Sequence, residues 1–262
     1  MKWHNILSYY KIDETKREYK ELLEEHIHNA LKRIEMVNES RLGRFVHDKM
    51  TVDDFHQLLS YAIIFHDAGK AFFQSEKYLI KNSKSVYLSF YGHEFISALL
   101  ADLFVTEKMK NLLGDESYLA VVFAVMYHHH AMNPRARARA INRLPSVHNA
   151  LYLNKLKDVL SIFLKKDDQN ILEKSLKMLP PRLNRNGIET LHYKLIKKLV
   201  LSPSNINLKK LSFILLDALI VCDYLAAQER EGEGGSTFTK TIKQFYKSWL
   251  QTNFNTKRTN TR

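Results

Sequence analysis

Apolar residues recur every three or four positions along most of the chain, which is the spacing of one face of an α-helix. The segments with this pattern are 14–37, 51–66, 91–105, 115–131 and 207–228. The last of these is apolar on almost every side, as is typical of a helix buried at the centre of a bundle. No segment shows the alternation of a half-buried strand. The pattern therefore predicts an all-α fold in which 41–49 is a connecting segment.

The composition is that of a globular protein, with 45% apolar and 26% charged residues over 262 positions. Because no long linker or internal repeat divides the chain, we expect a single helical domain over 1–262. Its core would span about 15–230, followed by a C-terminal helix at 239–250 and a disordered tail at 252–262. Cys222 is the only cysteine, which excludes an intramolecular disulfide and fits a reducing cytosol.

The start of the sequence lacks the apolar stretch of a signal peptide. The longest strongly apolar runs, 119–127 and 213–222, are too short to span a bilayer. We therefore expect a cytoplasmic protein with no membrane partner.

Positive charge is concentrated in the second half of the chain. Residues 1–130 hold 16 Lys and Arg against 18 Asp and Glu, whereas residues 131–262 hold 24 against 10. The balances are −2 and +14. A separate basic half favours a polyanionic partner, nucleic acid first, although a solvated lysine-rich surface explains the charge equally well.

Several histidines and carboxylates lie on the apolar faces of the predicted helices or at their ends. In chain order they are His26, His66, Asp67, His93, His128, His129 and Asp223. Neutral histidine and carboxylate are ligands of divalent metals, which predicts a buried metal site between helices. Taken alone, His26 is more often a hydrogen-bonded core residue, and His93 is equally a surface residue.

Three consecutive histidines, His128 to His130, close a strongly apolar helix, where packing does not explain them. We expect two of the three to bind metal, and either His128 with His129 or His129 with His130 fits. Asp217 and Asp223 both interrupt the apolar segment near the end of the chain. A buried carboxylate is costly unless it is paired or binds metal. The two lie about 120° apart around a helix, so we expect one site to use only one of them.

A stripe of arginines follows the histidine run. Arg135, Arg139 and Arg143 are spaced by four on a predicted helix, so they would share one face. Such a row suits a nucleic-acid backbone beside the site. The alternative is an exposed basic face that binds no ligand.

The ordered set H…HD…H…HH…D resembles the HD superfamily of metal-dependent phosphohydrolases, over about residues 20–230. The surrounding motifs are similar to those of the CRISPR-associated HD nuclease of type I interference: His66-Asp67-Ala-Gly-Lys70, Gly92-His93-Glu94, Tyr127-His128-His129 and Cys222-Asp223-Tyr-Leu-Ala. No Walker A pattern follows, and the chain is too short for a helicase. The resemblance is therefore to the stand-alone nuclease subunit that works with a separate helicase.

The resemblance implies an all-α HD-type domain that binds two divalent ions. The first would be held by His26, His66, Asp67 and Asp223, and the second by Asp67, His93, His128 and His129. Asp67 would bridge the ions, and Lys70 would contact a phosphate or orient the nucleophile. Mixed nitrogen and oxygen ligands suit Mn²⁺, Ni²⁺, Co²⁺ or Fe²⁺, with Mg²⁺ possible.

The resemblance also implies a hydrolase, an endonuclease or 3′–5′ exonuclease, that cleaves single-stranded DNA with a metal-activated water. Its partners would be a helicase subunit and a guide-RNA surveillance complex. The alternatives are an HD phosphohydrolase acting on nucleotides or cyclic dinucleotides, and an interaction subunit without catalytic activity.

Overall fold

The structure is a computed structural model that describes residues 4–50, 54–109, 117–129, 144–147, 150–180, 185–199, 201 and 206–231. Over these residues the fold is mostly helical, so the predicted class is confirmed. The helices are α1 (Leu23–Leu31), α2 (Ile34–Asn38), α3 (Arg41–Met50), α4 (Phe55–His66), α5 (His93–Met109), α6 (Tyr118–Tyr127), α7 (Ala150–Ser161), α8 (Lys166–Met178), α9 (Arg185–Leu199) and α10 (Ile206–Glu231).

A small antiparallel sheet accompanies the helices, and the sequence pattern did not predict it. Its strands are β1 (Leu7–Asp13), β2 (Glu18–Leu22), β3 (Leu79–Lys81) and β4 (Ser85–Leu88), in the order β2-β1-β4-β3. Lys11 faces Tyr87 across the β1–β4 pair. The helix expected over 14–37 therefore begins only at Leu23, where Glu25 accepts a hydrogen bond from the Leu22 amide. The expected connecting segment 41–49 is helical as α3.

The core is formed by α4, α6 and α10, with α5 against α6 and α1 against α10. All residues of α6 except its two tyrosine ends are buried, which explains why its sequence is apolar without interruption. Ile63, Phe65, Val122 and Leu219 are among the fully buried side chains of this centre. The site described below lies where the ends of these helices meet.

Helix α10 corrects one expectation about length. Its stretch Ile206–Gln228 is long and apolar enough to cross a membrane by length and composition alone, because the helix continues through Asp217 and Asp223. Of its most apolar window, 56% is buried inside the protein, as in the core helix of a globular protein. The other predicted features toward the chain end, the helix at 239–250 and the tail at 252–262, lie outside the described residues.

Candidate metal centre

Five helices deliver the predicted ligands to one place. His26 projects from the middle of α1, and His66 is the last residue of α4 with Asp67 directly after it. His93 is the first residue of α5, His128 and His129 follow α6, and Asp223 lies on α10. All seven are buried except His129, which is partly buried. Residues separated by almost 200 positions in sequence therefore converge, as the sequence predicted.

We call His26, His66, Asp67 and Asp223 the first group. Within it, Nε2 of His26 lies 3.0 Å from Oδ1 of Asp223 and 3.3 Å from Nε2 of His66. Oδ2 of Asp67 lies 3.4 Å from the His26 nitrogen and 3.5 Å from that of His66. One donor atom from each residue fits within a set that is nowhere wider than 4.8 Å.

We call Asp67, His93, His128 and His129 the second group. Nε2 of His93 lies 2.9 Å from Oδ1 of Asp67 and 3.3 Å from Nε2 of His129. Nε2 of His128 lies 3.8 Å from the same Asp67 oxygen. These donor atoms also lie within 4.8 Å of one another, which is compact enough for a metal ion.

Asp67 belongs to both groups and gives a different oxygen to each. Oδ2 faces His26 and His66, whereas Oδ1 faces His93 and His128. A carboxylate with one oxygen directed at each of two donor sets is arranged to join two cations.

The hydrogen bonds of three histidines fix which ring nitrogen faces the centre. Nδ1 of His66, His93 and His128 each lies 2.7 Å from the carbonyl oxygen three residues earlier in the chain. A carbonyl only accepts hydrogen bonds, so each Nδ1 carries the proton. In the neutral ring Nε2 is then left with its lone pair directed into the site. This is the ring state that a metal ion requires.

One of these nitrogens supports metal binding in particular. Nε2 of His128 is completely buried and has no hydrogen-bond partner within the part of the chain that the structure describes. A buried polar atom without a partner costs free energy, and native proteins rarely leave one. A cation held by the second group would satisfy it. The residues present therefore fit a divalent metal.

Electrostatics keep the acidic ligands ionised. Burial raises the pKa of Asp67, but Lys70 and His66 outweigh it and hold that pKa well below its usual value. Burial also raises the pKa of Asp223, and the neighbouring His26 and His66 more than reverse this. Burial lowers the pKa of His66, yet the charges of Asp67 and Asp223 leave it raised.

The pKa values of His128 and His129 are shifted toward the neutral ring. Burial lowers the pKa of His128, and burial together with the neighbouring His128 and His93 lowers the pKa of His129 well below its usual value. Neutral rings near pH 7 need lose no proton before they bind a metal.

Lys70 is buried and its Nζ lies 2.6 Å from Oδ2 of Asp67. It follows Asp67 on the 3₁₀ helix Ala68–Phe73, every residue of which is buried. Gly69 lies just past the end of α4, where a glycine is common because it stops a helix. The structure gives this glycine another role, because a Cβ there would lie 2.1 Å from the carbonyl oxygen of His93. Only glycine lets the two ligand segments approach this closely.

Polar side chains at the sheet, or bonded to it, were not predicted from the sequence. Gln74 accepts a hydrogen bond from the Leu7 amide and donates to the carbonyl groups of Leu7 and Lys70. Glu21 on β2 reaches the outer side of His26. The signal that could have found Glu21 is a carboxylate five residues before a ligand histidine, which is weak without knowledge of the strand.

Several other predicted features lie away from the metal centre or outside the described residues. Asp217 is exposed on α10, which agrees with a site that uses Asp223 alone. His28 is exposed, unlike His26. The arginines 135, 139 and 143 and the third histidine, His130, lie outside the described residues. The alternative pairing of His129 with His130 therefore stays open, although His128 and His129 both reach the second group.

A buried His-Asp pair that joins two sets of histidine and carboxylate donors inside a mostly helical domain is the arrangement expected of an HD-type domain. The chain is similar to the CRISPR-associated endonuclease Cas3-HD of Pyrococcus furiosus. The two are 26% identical over 222 residues, which cover 80% of this chain and 90% of that protein. This confirms the resemblance to HD-type CRISPR nucleases. No family model and no solved structure matches the chain.

Proposed function

We propose that this protein is a metal-dependent nuclease that hydrolyses the phosphodiester bonds of single-stranded DNA during CRISPR interference. The observation that carries the proposal is the divided Asp67 carboxylate, with Oδ2 facing the first group and Oδ1 the second. A two-cation centre of this kind serves in-line displacement at phosphorus. The relative from Pyrococcus furiosus, named a CRISPR-associated endonuclease, supports the same chemistry and setting.

The centre would hold two divalent ions, one in each group, with Asp67 between them. Their mixed nitrogen and oxygen donors favour Mn²⁺, Fe²⁺, Co²⁺ or Ni²⁺ over Mg²⁺, which prefers oxygen ligands alone. When bound, such ions supply a water of lowered pKa and neutralise charge on the phosphodiester.

The chain's own residues then hold and orient these parts. The carbonyl groups behind His66, His93 and His128 keep each Nε2 directed inward, so that no ring rotation is needed on binding. The Lys70 ammonium, held on the Asp67 side of the site, is placed to contact a non-bridging phosphate oxygen. The surrounding apolar core keeps bulk water from the buried first group and strengthens these electrostatic contacts.

The remaining assignments follow from charge and from the relative. A second half with a balance of +14 suits the backbone of a nucleic acid, and Arg135, Arg139 and Arg143 are candidates for that contact. We further infer a cytoplasmic protein with a separate helicase and a guide-RNA complex as partners. The proposed activity covers both endonuclease and exonuclease cleavage.

The experiment offers purified protein and Mn²⁺ or Ni²⁺ to single-stranded DNA, duplex DNA, free nucleotides and cyclic dinucleotides. We expect cleavage of single-stranded DNA that requires metal and is abolished by Asp67→Ala. The His28→Ala variant is the matched control, because this exposed histidine lies two residues from His26 on the same helix.

Hydrolysis of nucleotides or cyclic dinucleotides without DNA cleavage would contradict the proposal in favour of a phosphohydrolase. Retention of full cleavage in Asp67→Ala would also contradict it, because the activity would then come from elsewhere. No activity on any substrate, with metal bound, would favour an interaction subunit.

A further inference from the structure

A buried carboxylate on the sheet lies beside the metal centre, outside both ligand groups. Glu21 on β2 is only 6% exposed, and its Oε2 lies 3.4 Å from Nδ1 of His26. Ser8, on the neighbouring strand β1, donates a hydrogen bond of 2.6 Å to the same oxygen. The sheet therefore holds a carboxylate beside the ring nitrogen of His26 that points away from the first group.

The Nδ1 atoms of the inward-facing histidines have different acceptors nearby. His66, His93 and His128 each donate from Nδ1 to a neutral backbone carbonyl. The Nδ1 of His26 lies 3.4 Å from the Glu21 carboxylate. The Glu94 carboxylate lies farther, 3.7 Å, from Nδ1 of His93, which already donates to the Phe90 carbonyl. A negative acceptor stabilises the proton on Nδ1 more strongly than a carbonyl does, and it makes the opposite nitrogen more basic.

We propose that Glu21 is a positioning residue of the metal centre. It holds His26 with its proton on Nδ1 and strengthens Nε2 as a ligand for the ion of the first group, while Ser8 keeps the carboxylate in place. The separation of 3.4 Å is that of an ion pair, and a shift of about 0.5 Å turns it into a hydrogen bond of ordinary length. This inference rests on the metal centre of the proposed function.

This arrangement indicates that the sheet positions the Glu21 carboxylate. Because β1 carries Ser8 and β2 carries Glu21, the antiparallel pairing of these strands sets the position of the carboxylate. Leu23 continues directly from β2 into α1, and its amide donates to the carbonyl of Ile6 beside β1. His26 follows one turn later, so the same strand–helix junction fixes both members of the pair.

The decisive variant is Glu21→Gln in the full chain, since glutamine keeps the shape and an acceptor oxygen but loses the charge. Calorimetric titration of metal-free protein with Mn²⁺ is expected to show the affinity of one ion lowered by about 10- to 100-fold. The affinity of the other ion should change little. Glu24→Gln is the control, because it removes the same charge from an exposed position at the start of α1.

A second measurement separates positioning from general stability. The absorption bands of bound Co²⁺ report the geometry and basicity of its ligands, and they should shift in Glu21→Gln but not in Glu24→Gln. Ser8→Ala should reproduce a smaller shift and a smaller loss of affinity, because it frees the carboxylate without removing it. Thermal melting of the metal-free variants shows whether each is folded.

Wild-type Mn²⁺ affinities and an unchanged Co²⁺ spectrum in Glu21→Gln would overturn the inference. If that variant does not fold, Ser8→Ala decides, and unchanged metal binding there overturns the inference instead. Metal binding is read without DNA, so a wild-type protein that binds two ions but cleaves no DNA would refute only the nuclease. A wild-type protein that binds no ion would refute both.

Discussion

The first and second ligand groups meet at Asp67 but differ in charge and in burial. The first contains two carboxylates, Asp67 and Asp223, and all of its members are buried. The second has Asp67 alone among three histidines, and its His129 is partly exposed. Since carboxylates add charge attraction for a divalent ion, we expect the first group to bind its ion more tightly. The second, more open group would present its ion to the substrate.

The difference follows from where the ligands lie on their helices. His26 and Asp223 come from the interiors of α1 and α10, which pack against each other. His93 and His129 lie at the beginning of one helix and just past the end of another. Of these four ligands, only His129 is partly exposed. The contrast in burial therefore comes from the position of His129 past the end of α6.

The largest effect should come from the shared ligand. Asp67→Ala removes an oxygen from both groups at once, so the bound metal should fall from two ions to none. DNA cleavage should fall on the order of 10³-fold or more. Metal content by mass spectrometry of the purified protein and a cleavage assay check this. Loss of only one ion would mean that Asp67 does not join the groups.

A change confined to the first group should separate it from the second. Asp223→Ala is expected to lose the tightly bound ion, leaving one ion, and to lower cleavage by about 10²-fold or more. Asp217→Ala, an exposed aspartate on the same helix, is the matched control and should keep both ions. Mn²⁺ titration followed by electron paramagnetic resonance distinguishes these outcomes. An Asp223→Ala protein that retains its tighter ion would reverse our ranking of the groups.

Replacing Lys70 should change the metal affinity and the rate of DNA cleavage in opposite directions. Its ammonium contacts the Asp67 oxygen that the first ion would use. Lys70→Met should therefore raise the affinity for that ion by roughly a few-fold, because a buried ammonium no longer competes for the carboxylate oxygen. It should also lower cleavage by about 10-fold or more, through loss of the phosphate contact. Lys77→Met, at an exposed position nearby, should do neither. Weaker metal binding in Lys70→Met would show that the lysine supports the centre rather than competing for it.

The smallest predicted effect comes from Gly69→Ala, which disturbs the second group through packing and removes none of its ligands. The Cβ of Gly69→Ala would meet the backbone of His93, so that segment must move, at about 1–3 kcal/mol of stability. The ion of the second group should bind several-fold more weakly. Gly43→Ala is the control, since its Cβ would meet the backbone of Asn38 in a similar clash outside both groups. Equal metal binding in the two variants would show that this close approach does not position His93.

Sequence patterns were sufficient for the helical class and for bringing the seven candidate ligands into one ordered set. They succeeded because each ligand lies on, or directly beside, an apolar helix whose periodicity shows which face is buried. His26 was placed inward by this argument, whereas the choice of Asp223 over Asp217 came from the resemblance to HD nucleases. Their roles as metal ligands stay predictions until an ion is bound.

The sheet and its carboxylate could not be predicted in the same way. Residues 18–25, Glu-Tyr-Lys-Glu-Leu-Leu-Glu-Glu, are rich in helix-forming types, so local preference favours a helix throughout. The segment instead pairs with β1, Lys11 facing Tyr19, and β1 is in turn held by β4, which is remote in sequence, Lys11 facing Tyr87. Such pairing overrides local preference. Glu21 was missed because its position relative to His26 depends on that pairing.

The bonds between Gln74 and Leu7 bear on how the protein can diverge. Gln74 contacts only the main chain of Leu7, through its amide and its carbonyl. Any residue except proline that fits the space can replace Leu7 and keep both bonds, whereas a substitution of Gln74 breaks them together. The sequence of β1 can therefore vary at Leu7 among relatives while the strand stays bonded to the end of the 3₁₀ helix that carries Lys70. When distant relatives are compared, a glutamine side chain at position 74 is therefore a better sign of an intact metal centre than the amino-acid sequence of β1.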